Sequence, residues 1–281
     1  MAPAAGLRSL LMVDLSIILP SYRNAALALR SVGELGRFLH GQPLSWEIVI
    51  IDDGGGDFSE EPRSPHGPVK LIRFPENRGK GAAVRAGMLA ASGRSRFFTD
   101  VDLPFELSVF LPATRYLLDR RYHLVVGDRT LQDSRYHLDI GVKRRAASFL
   151  FSQFVSKLVT GGFFDTQCGF KGFRGDVAQA LFSRTIIDRF AFDVEVLYLA
   201  LRHRLDIKRV PVVLRNNETS SVRLVRDSSR MLLDIFRIKA HQVAGHYRDQ
   251  DLSDLLSRDL AEDAQGSPAS GAGQPGSAAR G

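Results

Sequence analysis

Cysteine is almost absent from this chain, since Cys168 is the only one among 281 residues. One cysteine cannot form an intrachain disulfide, which argues against a disulfide-stapled secreted domain and favours a cytosolic protein. No histidine lies near Cys168 in the sequence, so we do not expect it to act as a nucleophile. The ordinary interpretation is a small buried apolar side chain.

Long uncharged apolar runs are also absent. No stretch reaches the roughly 18 apolar residues that a membrane-spanning helix needs, so we expect no transmembrane segment. Met1 to Val13 contains only a short apolar patch, which Asp14 interrupts, and lacks the layout of a signal peptide. We therefore expect a cytoplasmic protein, with peripheral attachment to the cytoplasmic face of a membrane as its only candidate membrane contact.

The composition that is present is globular and basic, with 44% hydrophobic residues, 25% charged residues and a formal net charge of +7. Excess positive charge suits an anionic membrane surface or phosphorylated small molecules. No zinc-finger spacing or RNA-binding signature accompanies this charge, so nucleic acid is not expected as a partner.

Short apolar segments alternate with helical patterns along most of the chain. We expect strands at 15–19, 46–51, 69–74, 96–99, 124–126 and 207–214, and helices at 25–39, 81–91, 107–118, 146–159, 192–201 and from about 223. This alternation predicts an α/β domain with a mostly parallel sheet and helices on both faces. We expect a leader at 1–14, the domain at 15–248 and a tail at 249–281, disordered from about 265.

Three of the predicted strands end in polar residues, at Pro20-Ser21, Asp52-Asp53 and Asp100-Val101-Asp102. Ligands of open α/β sheets bind outside the carboxyl ends of the strands. Four carboxylates in one crevice repel each other unless a cation or hydrogen-bond donors lie between them. A divalent metal that bridges a diphosphate would satisfy them, so Asp100 and Asp102 are predicted metal ligands.

Both acidic motifs have a simpler alternative, because Asp-x-Asp and Asp-Gly also occur in solvated turns. The position of Asp100 directly after the apolar Phe97-Phe98-Thr99 segment favours the metal role. Asp52 or Asp53 would then accept a hydrogen bond from a nucleobase N–H or a ribose hydroxyl.

A basic, glycine-containing segment, Asn77-Arg78-Gly79-Lys80-Gly81, opens the predicted second helix. Backbone N–H groups at a helix start attract anions, and two glycines let a phosphate approach. The segment has neither the Walker A spacing nor the dinucleotide fingerprint, since Val84 stands where a glycine is required. Taken alone, it is equally compatible with a solvated basic helix start.

Seven motifs in order resemble those of family 2 glycosyltransferases, most closely the polyprenyl-phosphate branch and, within it, the glucosyltransferases that act on dolichyl phosphate. They are Pro20-Ser21-Tyr22, Asp52-Asp53-Gly54, Asn77 to Gly81, Asp100-Val101-Asp102, Gly127-Asp128-Arg129, Asp165 to Lys171, and Ala191 to Glu195. The resemblance covers roughly 15–239, and its last two motifs are the most specific because they are free of generic turn composition.

The resemblance implies a GT-A fold, inversion at the anomeric carbon, and Mg²⁺ or Mn²⁺ on Asp100 and Asp102. It implies a nucleotide-sugar site formed by Pro20, Ser21, Tyr22, Asp52, Asp53, Arg78, Lys80 and Asp100. It implies a catalytic set of Asp102, Arg129, Asp165 and Gln167, with Arg129 facing phosphate. The acceptor side would be bordered by Lys171, Asp193, Glu195, Arg223 and Arg226. The favoured reaction transfers glucose from UDP-glucose to a polyprenyl or dolichyl phosphate.

The sequence departs from the family pattern at several positions. Gly55 stands where serine is usual, and Leu103-Pro104 follows Asp102 where the family commonly has glycine and sometimes a metal-supporting glutamine. Glu106 is a candidate for that supporting role. A lysine expected near Ser221 is absent, and Arg223 or Arg226 would supply the charge instead. These departures bear on the donor and the acceptor and leave the fold expectation intact.

Two segments suggest contact with an anionic membrane. Lys143-Arg144-Arg145 precedes an aromatic-rich helical pattern, and the last helix carries a basic stripe formed by Arg223, Arg226, Arg230, Arg237 and Arg248. Each has an ordinary alternative, a helix packed on the domain with a solvated basic edge.

Three rival functions remain open at this point. A soluble small-molecule or glycan hydroxyl acceptor keeps the fold, and Asp165 would then be the general base. A phosphatase would use Asp100 as nucleophile, but that class places its motif after the first strand. A non-catalytic membrane or scaffold protein requires that no donor binds.

Overall fold

A computed structural model of the chain describes residues 12–135, 168–215 and 224–247, with the side chains of the last helix described from residue 233. Its strands are β1 (Leu15–Ser21), β2 (Trp46–Asp52), β3 (Val69–Arg73), β4 (Ser95–Phe98), β5 (Leu124–Asp128), β6 (Lys171–Arg174) and β7 (Ile207–Pro211). Its helices are α1 (Ala25–His40), α2 (Lys80–Ala90), α3 (Phe110–Leu118), α4 (Gly175–Phe182), α5 (Phe192–Arg202) and α6 (Leu224–Val243). A 3₁₀ turn (Leu107–Val109) leads into α3.

The seven strands form one sheet in the order β3-β2-β1-β4-β6-β5-β7. The pairs β1–β2, β2–β3, β1–β4 and β5–β7 are parallel, whereas β6 runs antiparallel to both of its neighbours. The prediction of a mostly parallel α/β sheet is confirmed. Two elements, β6 and α4, were not predicted. Strand β6 gave no apolar signal, because Lys171–Arg174 is short and half of its residues are charged. The predicted helix at 146–159 lies outside the described residues.

Strand β1 lies at the centre of the core and is buried on both faces. Leu15, Ile17 and Leu19 are fully buried and belong to the cluster that α1 covers, as alternation along a strand requires. Ile18 points to the opposite face, where α2 comes so close that a Cβ on Gly87 would lie 2.4 Å from the Ile18 side chain. A glycine at this point of α2 therefore sets the distance between that helix and the sheet.

The register of the strands brings their carboxyl ends to one edge of the sheet. Ser21 pairs with Asp52 across β1 and β2, and Ile18 pairs with Phe98 across β1 and β4. Asp100 therefore follows β4 close to the level at which β1 ends. No helix in the described part of the chain is both long and apolar enough to cross a membrane.

Candidate active site

A lysine and a carboxylate meet at this edge of the sheet. Lys80 is the first residue of α2, and its Nζ donates a hydrogen bond to Asp100 Oδ1 just beyond β4. Burial alone would lower the pKa of Lys80, but the carboxylates of Asp100 and Asp193 outweigh burial and raise that pKa. Lys80 is therefore a cation at neutral pH, and it holds the Asp100 side chain in place.

Asp102 shares the turn that follows β4. Burial raises the pKa of Asp102, and the neighbouring Asp100 carboxylate raises it further. The Leu103 N–H closes the turn by donating to the Asp100 carbonyl at 3.0 Å. Leu103 itself has a φ of +47°, the left-handed region that favours glycine, and only 2% of its surface is exposed. Leucine thus occupies a backbone conformation that glycine adopts more readily.

Gly169 packs directly against the Asp100 carboxylate. A Cβ at this position would lie 2.6 Å from Asp100 Oδ2, closer than real side chains approach. Gly169 comes just before β6, the antiparallel strand that pairs with β4 and so carries this segment to the site. Only a residue without a side chain leaves the Asp100 carboxylate where it lies.

The donor set at Asp100 and Asp102 fits a hard divalent cation, because carboxylate oxygens are the ligands that Mg²⁺ and Mn²⁺ prefer. Within 12–135, 168–215 and 224–247, no three His, Cys, Asp or Glu residues are grouped to hold a metal. Glu106 is not grouped with them in this way, and its supporting role stays a prediction. Two carboxylates match Mg²⁺ sites whose remaining ligands are water and substrate phosphate oxygens.

The two aspartates at the end of β2 hold neighbouring loops. The Asp52 carboxylate accepts hydrogen bonds from the N–H groups of Gly55 and Gly56, at 2.7 and 3.2 Å. The Asp53 carboxylate accepts from Arg78 N–H at 2.7 Å and from Gly79 N–H at 2.9 Å. Burial raises the pKa of Asp53, although these two N–H groups oppose the rise. Both aspartates shape the walls of the crevice, and their direct contact with a nucleotide stays a prediction.

The end of β1 carries a buried hydroxyl and an exposed aromatic ring. Ser21 is 2% exposed, and its Oγ hydrogen-bonds no group among the described residues. Tyr22 is 44% exposed, with the Arg23 guanidinium 5.1 Å from its ring centroid. Pro20 is half-buried. A buried hydroxyl at a strand end is a ready partner for a polar ligand group.

Lys171 and Asp193 form a buried ion pair beneath the site. Lys171 Nζ donates to Asp193 Oδ1 at 2.9 Å and to the Cys168 carbonyl at 2.8 Å. Burial raises the pKa of Asp193, against the opposing charges of Lys171 and Lys80. Both residues were predicted to contact the acceptor. The structure offers a second role, because the pair lies inside the fold and the Asp193 carboxylate stabilises the charge of Lys80.

Glu195 is fully buried, and its carboxylate is engaged by the chain itself. It accepts hydrogen bonds from Ile186 N–H at 3.0 Å, Ile187 N–H at 2.9 Å and the Tyr247 hydroxyl at 2.7 Å. Burial raises the pKa of Glu195, and burial together with the Glu195 hydrogen bond raises the pKa of Tyr247. Glu195 therefore anchors the loop after α4, and its predicted place beside the acceptor stays a prediction.

That loop supports the basic segment at the start of α2. The Asp188 carbonyl accepts from Ala82 N–H at 3.0 Å and would lie 2.5 Å from a Cβ on Gly79, whose φ is +108°. The Ile187 carbonyl would lie 2.4 Å from a Cβ on Gly81. Glycine is therefore needed twice in this segment, because another part of the chain packs onto it.

The remaining predicted site residues fall in different places. Asp165, Gln167 and Arg223 lie outside the described residues, and for Arg226 only the backbone, within α6, is described. Arg129 is half-buried in the turn after β5. Sequence analysis assigned no role to Asp128, the residue before Arg129. Its carboxylate accepts hydrogen bonds from Arg209 and from Thr130, and the bond from Arg209 links the end of β5 to β7. The strand-end position of Asp128 was the signal that could have revealed it.

The sequence model of the family described as glycosyl transferase family 2 matches residues 16–182, which is more than half of the 281-residue chain. The chain belongs to glycosyl transferase family 2. This family 2 glycosyltransferase is 30% identical over 251 residues to the dolichyl-phosphate beta-glucosyltransferase of Dictyostelium discoideum, covering 84% of this chain and 77% of that protein. The enzyme of the same name from Saccharomyces cerevisiae is 29% identical over 258 residues, with the same two coverages.

Solved structures of other transferases share the fold of this family 2 glycosyltransferase. Glucosyl-3-phosphoglycerate synthase from Mycobacterium tuberculosis, in complex with Mn²⁺, UDP and glucosyl-3-phosphoglycerate, has a TM-score of 0.57 at 17% identity, covering 82% of this chain and 80% of that one. Mannosyl-3-phosphoglycerate synthase from Rubrobacter xylanophilus has a TM-score of 0.56 at 17% identity, covering 94% and 79%. The predicted GT-A fold is confirmed.

Proposed function

We propose that this glycosyltransferase transfers glucose from UDP-glucose to a dolichyl or other polyprenyl phosphate, with a divalent metal and with inversion at the anomeric carbon. The observation that carries the proposal is the Lys80–Asp100–Asp102 cluster at the sheet edge of a family 2 chain. The dolichyl-phosphate beta-glucosyltransferases that the chain resembles support the donor sugar and the acceptor.

The metal proposal rests on Asp100 and Asp102. The two carboxylates repel each other, and a divalent cation bound to both would relieve that repulsion. A fold relative solved with both Mn²⁺ and UDP supports a metal beside a nucleotide diphosphate in this architecture. A divalent cation held there would neutralise charge on the departing diphosphate.

The roles of the chain's own residues follow from their positions. Lys80 orients Asp100 and brings a positive charge to the place where the diphosphate would gain negative charge. Ser21 would hold the nucleotide through its buried hydroxyl, next to the loops that Asp52 and Asp53 shape. An oxygen of the acceptor phosphate would attack the anomeric carbon as the bond to the diphosphate breaks. That oxygen is largely ionised at neutral pH, because the second pKa of a phosphate monoester is about 6, so no strong base is required.

A donor panel tests the proposal. The purified protein is incubated with UDP-glucose or GDP-mannose, a short-chain polyprenyl phosphate and Mn²⁺ or Mg²⁺, and products are identified by mass spectrometry. We expect a glucosylated prenyl phosphate, loss of product with a chelator, and recovery when either metal is returned. Preference for GDP-mannose would overturn the donor assignment, and a product that stays in water with a hydroxyl acceptor would favour the soluble-acceptor reaction.

The Asp102→Asn variant separates metal binding from folding. It should keep the melting temperature of the parent and lose transfer, because the half-buried carboxylate serves the site. Asp119→Asn, at an exposed position after α3, is the matched control and should keep full activity. Full turnover by Asp102→Asn in the presence of chelator would remove the metal from the proposal.

A further inference from the structure

A second cleft, of about 420 Å³, lies beside the basic segment, Asn77 to Gly81. Lys80 contacts Asp100, whereas Arg78, two residues earlier, lines this cleft. The loop after α4 and the helix α6 form its other walls. Arg189 comes from that loop, and Arg237 and His241 come from one face of α6. None of the residues that line the cleft is Asp100, Asp102 or Ser21.

The charge of the cleft is positive on balance. Its two carboxylates are already matched, since Asp188 pairs with Arg85 and Asp234 pairs with Arg237 at 3.0 Å. Arg78 and Arg189 make no ion pair among the described residues. Their guanidinium groups therefore remain as excess positive charge, and guanidinium is well suited to bind phosphate.

Exposed apolar side chains surround these cations. On α6, Leu233 and Phe236 are each 61% exposed and Val243 is 84% exposed. Their spacing of three and seven residues puts them on one helix face, beside the one that carries Arg237. In the loop after α4, Ile186 lines the cleft and is 40% exposed, and Phe190, next to the lining residue Arg189, is 46% exposed. Large apolar side chains thus flank the cleft on two sides.

We propose that this cleft binds the phosphate headgroup of an anionic phospholipid while the flanking apolar side chains enter the bilayer. A soluble phosphate compound would use the arginines and leave the apolar side chains without a role. A second copy of this chain would bring its own excess of positive charge to the same patch. An anionic bilayer complements both the charge and the apolar surface. The inference rests on the proposed function in one respect, that a polyprenyl phosphate acceptor stays in a membrane.

The test is co-sedimentation of the full chain with phosphatidylcholine vesicles, with and without phosphatidylglycerol, in the absence of donor and acceptor. Arg189→Gln should lower the partition coefficient on anionic vesicles about fivefold. Arg237→Gln should lower it less, because Arg237 is paired with Asp234. Leu233→Ser combined with Phe236→Ser should also lower it. Helix α1 provides matched controls at exposed positions, Arg30→Gln and Leu29→Ser, which should bind as the parent does. Melting temperatures verify that each variant is folded.

Other results would overturn the inference. Parent-like binding by both arginine variants would show that the cleft is not used, and an equal loss in Arg30→Gln would show only a diffuse effect of net charge. Glycerol phosphate or UDP that binds at Arg189 and Arg237, with no effect of the Leu233 and Phe236 substitutions, would assign the cleft to a soluble phosphate. Transfer to a water-soluble prenyl phosphate, measured on the same variants, tests the proposed function independently, since it needs no vesicle.

Discussion

Lys171 Nζ lies 2.9 Å from Asp193 Oδ1, and the two side chains are 0% and 9% exposed. Removing one partner of a buried ion pair leaves an uncompensated charge, which typically costs 3–5 kcal/mol. We predict that Lys171→Met lowers the free energy of unfolding by about 3 kcal/mol. Urea denaturation measures this change. Arg73→Met, in the exposed Arg73–Glu61 pair, is the control and should cost less than about 1 kcal/mol.

The double variant Lys171→Met, Asp193→Leu separates stability from function. Apolar replacement of both partners removes the unpaired charge, so the double variant should be more stable than Lys171→Met alone. Transfer should not recover, because Lys80 loses the Asp193 carboxylate that helps to keep it charged. Recovery of full activity in the double variant would show that the pair serves only folding.

Gly169→Ala should impair transfer with little loss of stability. Its Cβ would meet Asp100 Oδ2 at 2.6 Å, so the carboxylate must move. Loss of the contacts that orient a metal ligand typically costs tenfold to a hundredfold in metal affinity or activity. Because Asp100 is a proposed metal ligand, we expect a loss of about that size. Initial rates against Mn²⁺ concentration measure it. Gly41→Ala, where no heavy atom lies within 4 Å of the new Cβ, should behave as the parent.

At Leu103, side-chain packing opposes backbone strain. Truncation of a buried leucine costs about 2–5 kcal/mol, whereas the left-handed conformation costs a non-glycine residue about 1–2 kcal/mol. Packing therefore outweighs strain, and Leu103→Gly and Leu103→Ala should both be less stable than the parent. Leu103→Gly should be the more stable of the two, since glycine alone relieves the φ of +47°. At Leu107, in an ordinary 3₁₀ turn, the order should reverse, with alanine more stable than glycine. Thermal unfolding compares the four variants.

Asp128 should make stability depend on pH in the acid range. Burial opposes ionisation of Asp128, but hydrogen bonds from Arg209 and Thr130 outweigh burial and lower its pKa. A lowered folded-state pKa contributes stability that is fully present above the unfolded value of about 3.9 and is lost as the pH falls through the folded value. Thr130→Val should therefore cost about 1 kcal/mol at pH 7, and the cost should shrink below about pH 4.

Urea unfolding at a series of pH values measures this dependence. Ser134→Ala is the control, because the Ser134 hydroxyl donates to the Asp128 carbonyl, which does not titrate. Its cost should stay constant with pH. A Thr130→Val cost that is equally constant would show that the Thr130 bonds do not favour the ionised form of Asp128.

Local sequence patterns were sufficient to predict the central strands and their order of appearance. Leu15–Ser21 and Trp46–Asp52 are largely apolar segments that end in polar residues, and the two phenylalanines of Ser95–Phe98 lead directly into Thr99 and Asp100. Such segments are typical of buried strands whose ends face a crevice. The same strand-end pattern predicted the metal ligands and a nucleotide contact at Asp52 or Asp53, and the family resemblance added the remaining donor and acceptor residues. Helix α2 was predicted within one residue at each end.

The amino-acid sequence by itself determined the α/β class and the family of this protein, together with the candidate carboxylates, since these depend on local apolar periodicity and on short motifs. Only the tertiary structure decided what the carboxylates contact. Glu195 and Asp193 belong to one motif, yet Glu195 anchors a loop through Tyr247 while Asp193 pairs with Lys171. Those partners lie 52 and 22 residues away, and no local pattern encodes such contacts. The antiparallel insertion of β6 between β4 and β5 brings Gly169 to Asp100 for the same reason: long-range pairing is settled by which surfaces can be buried together.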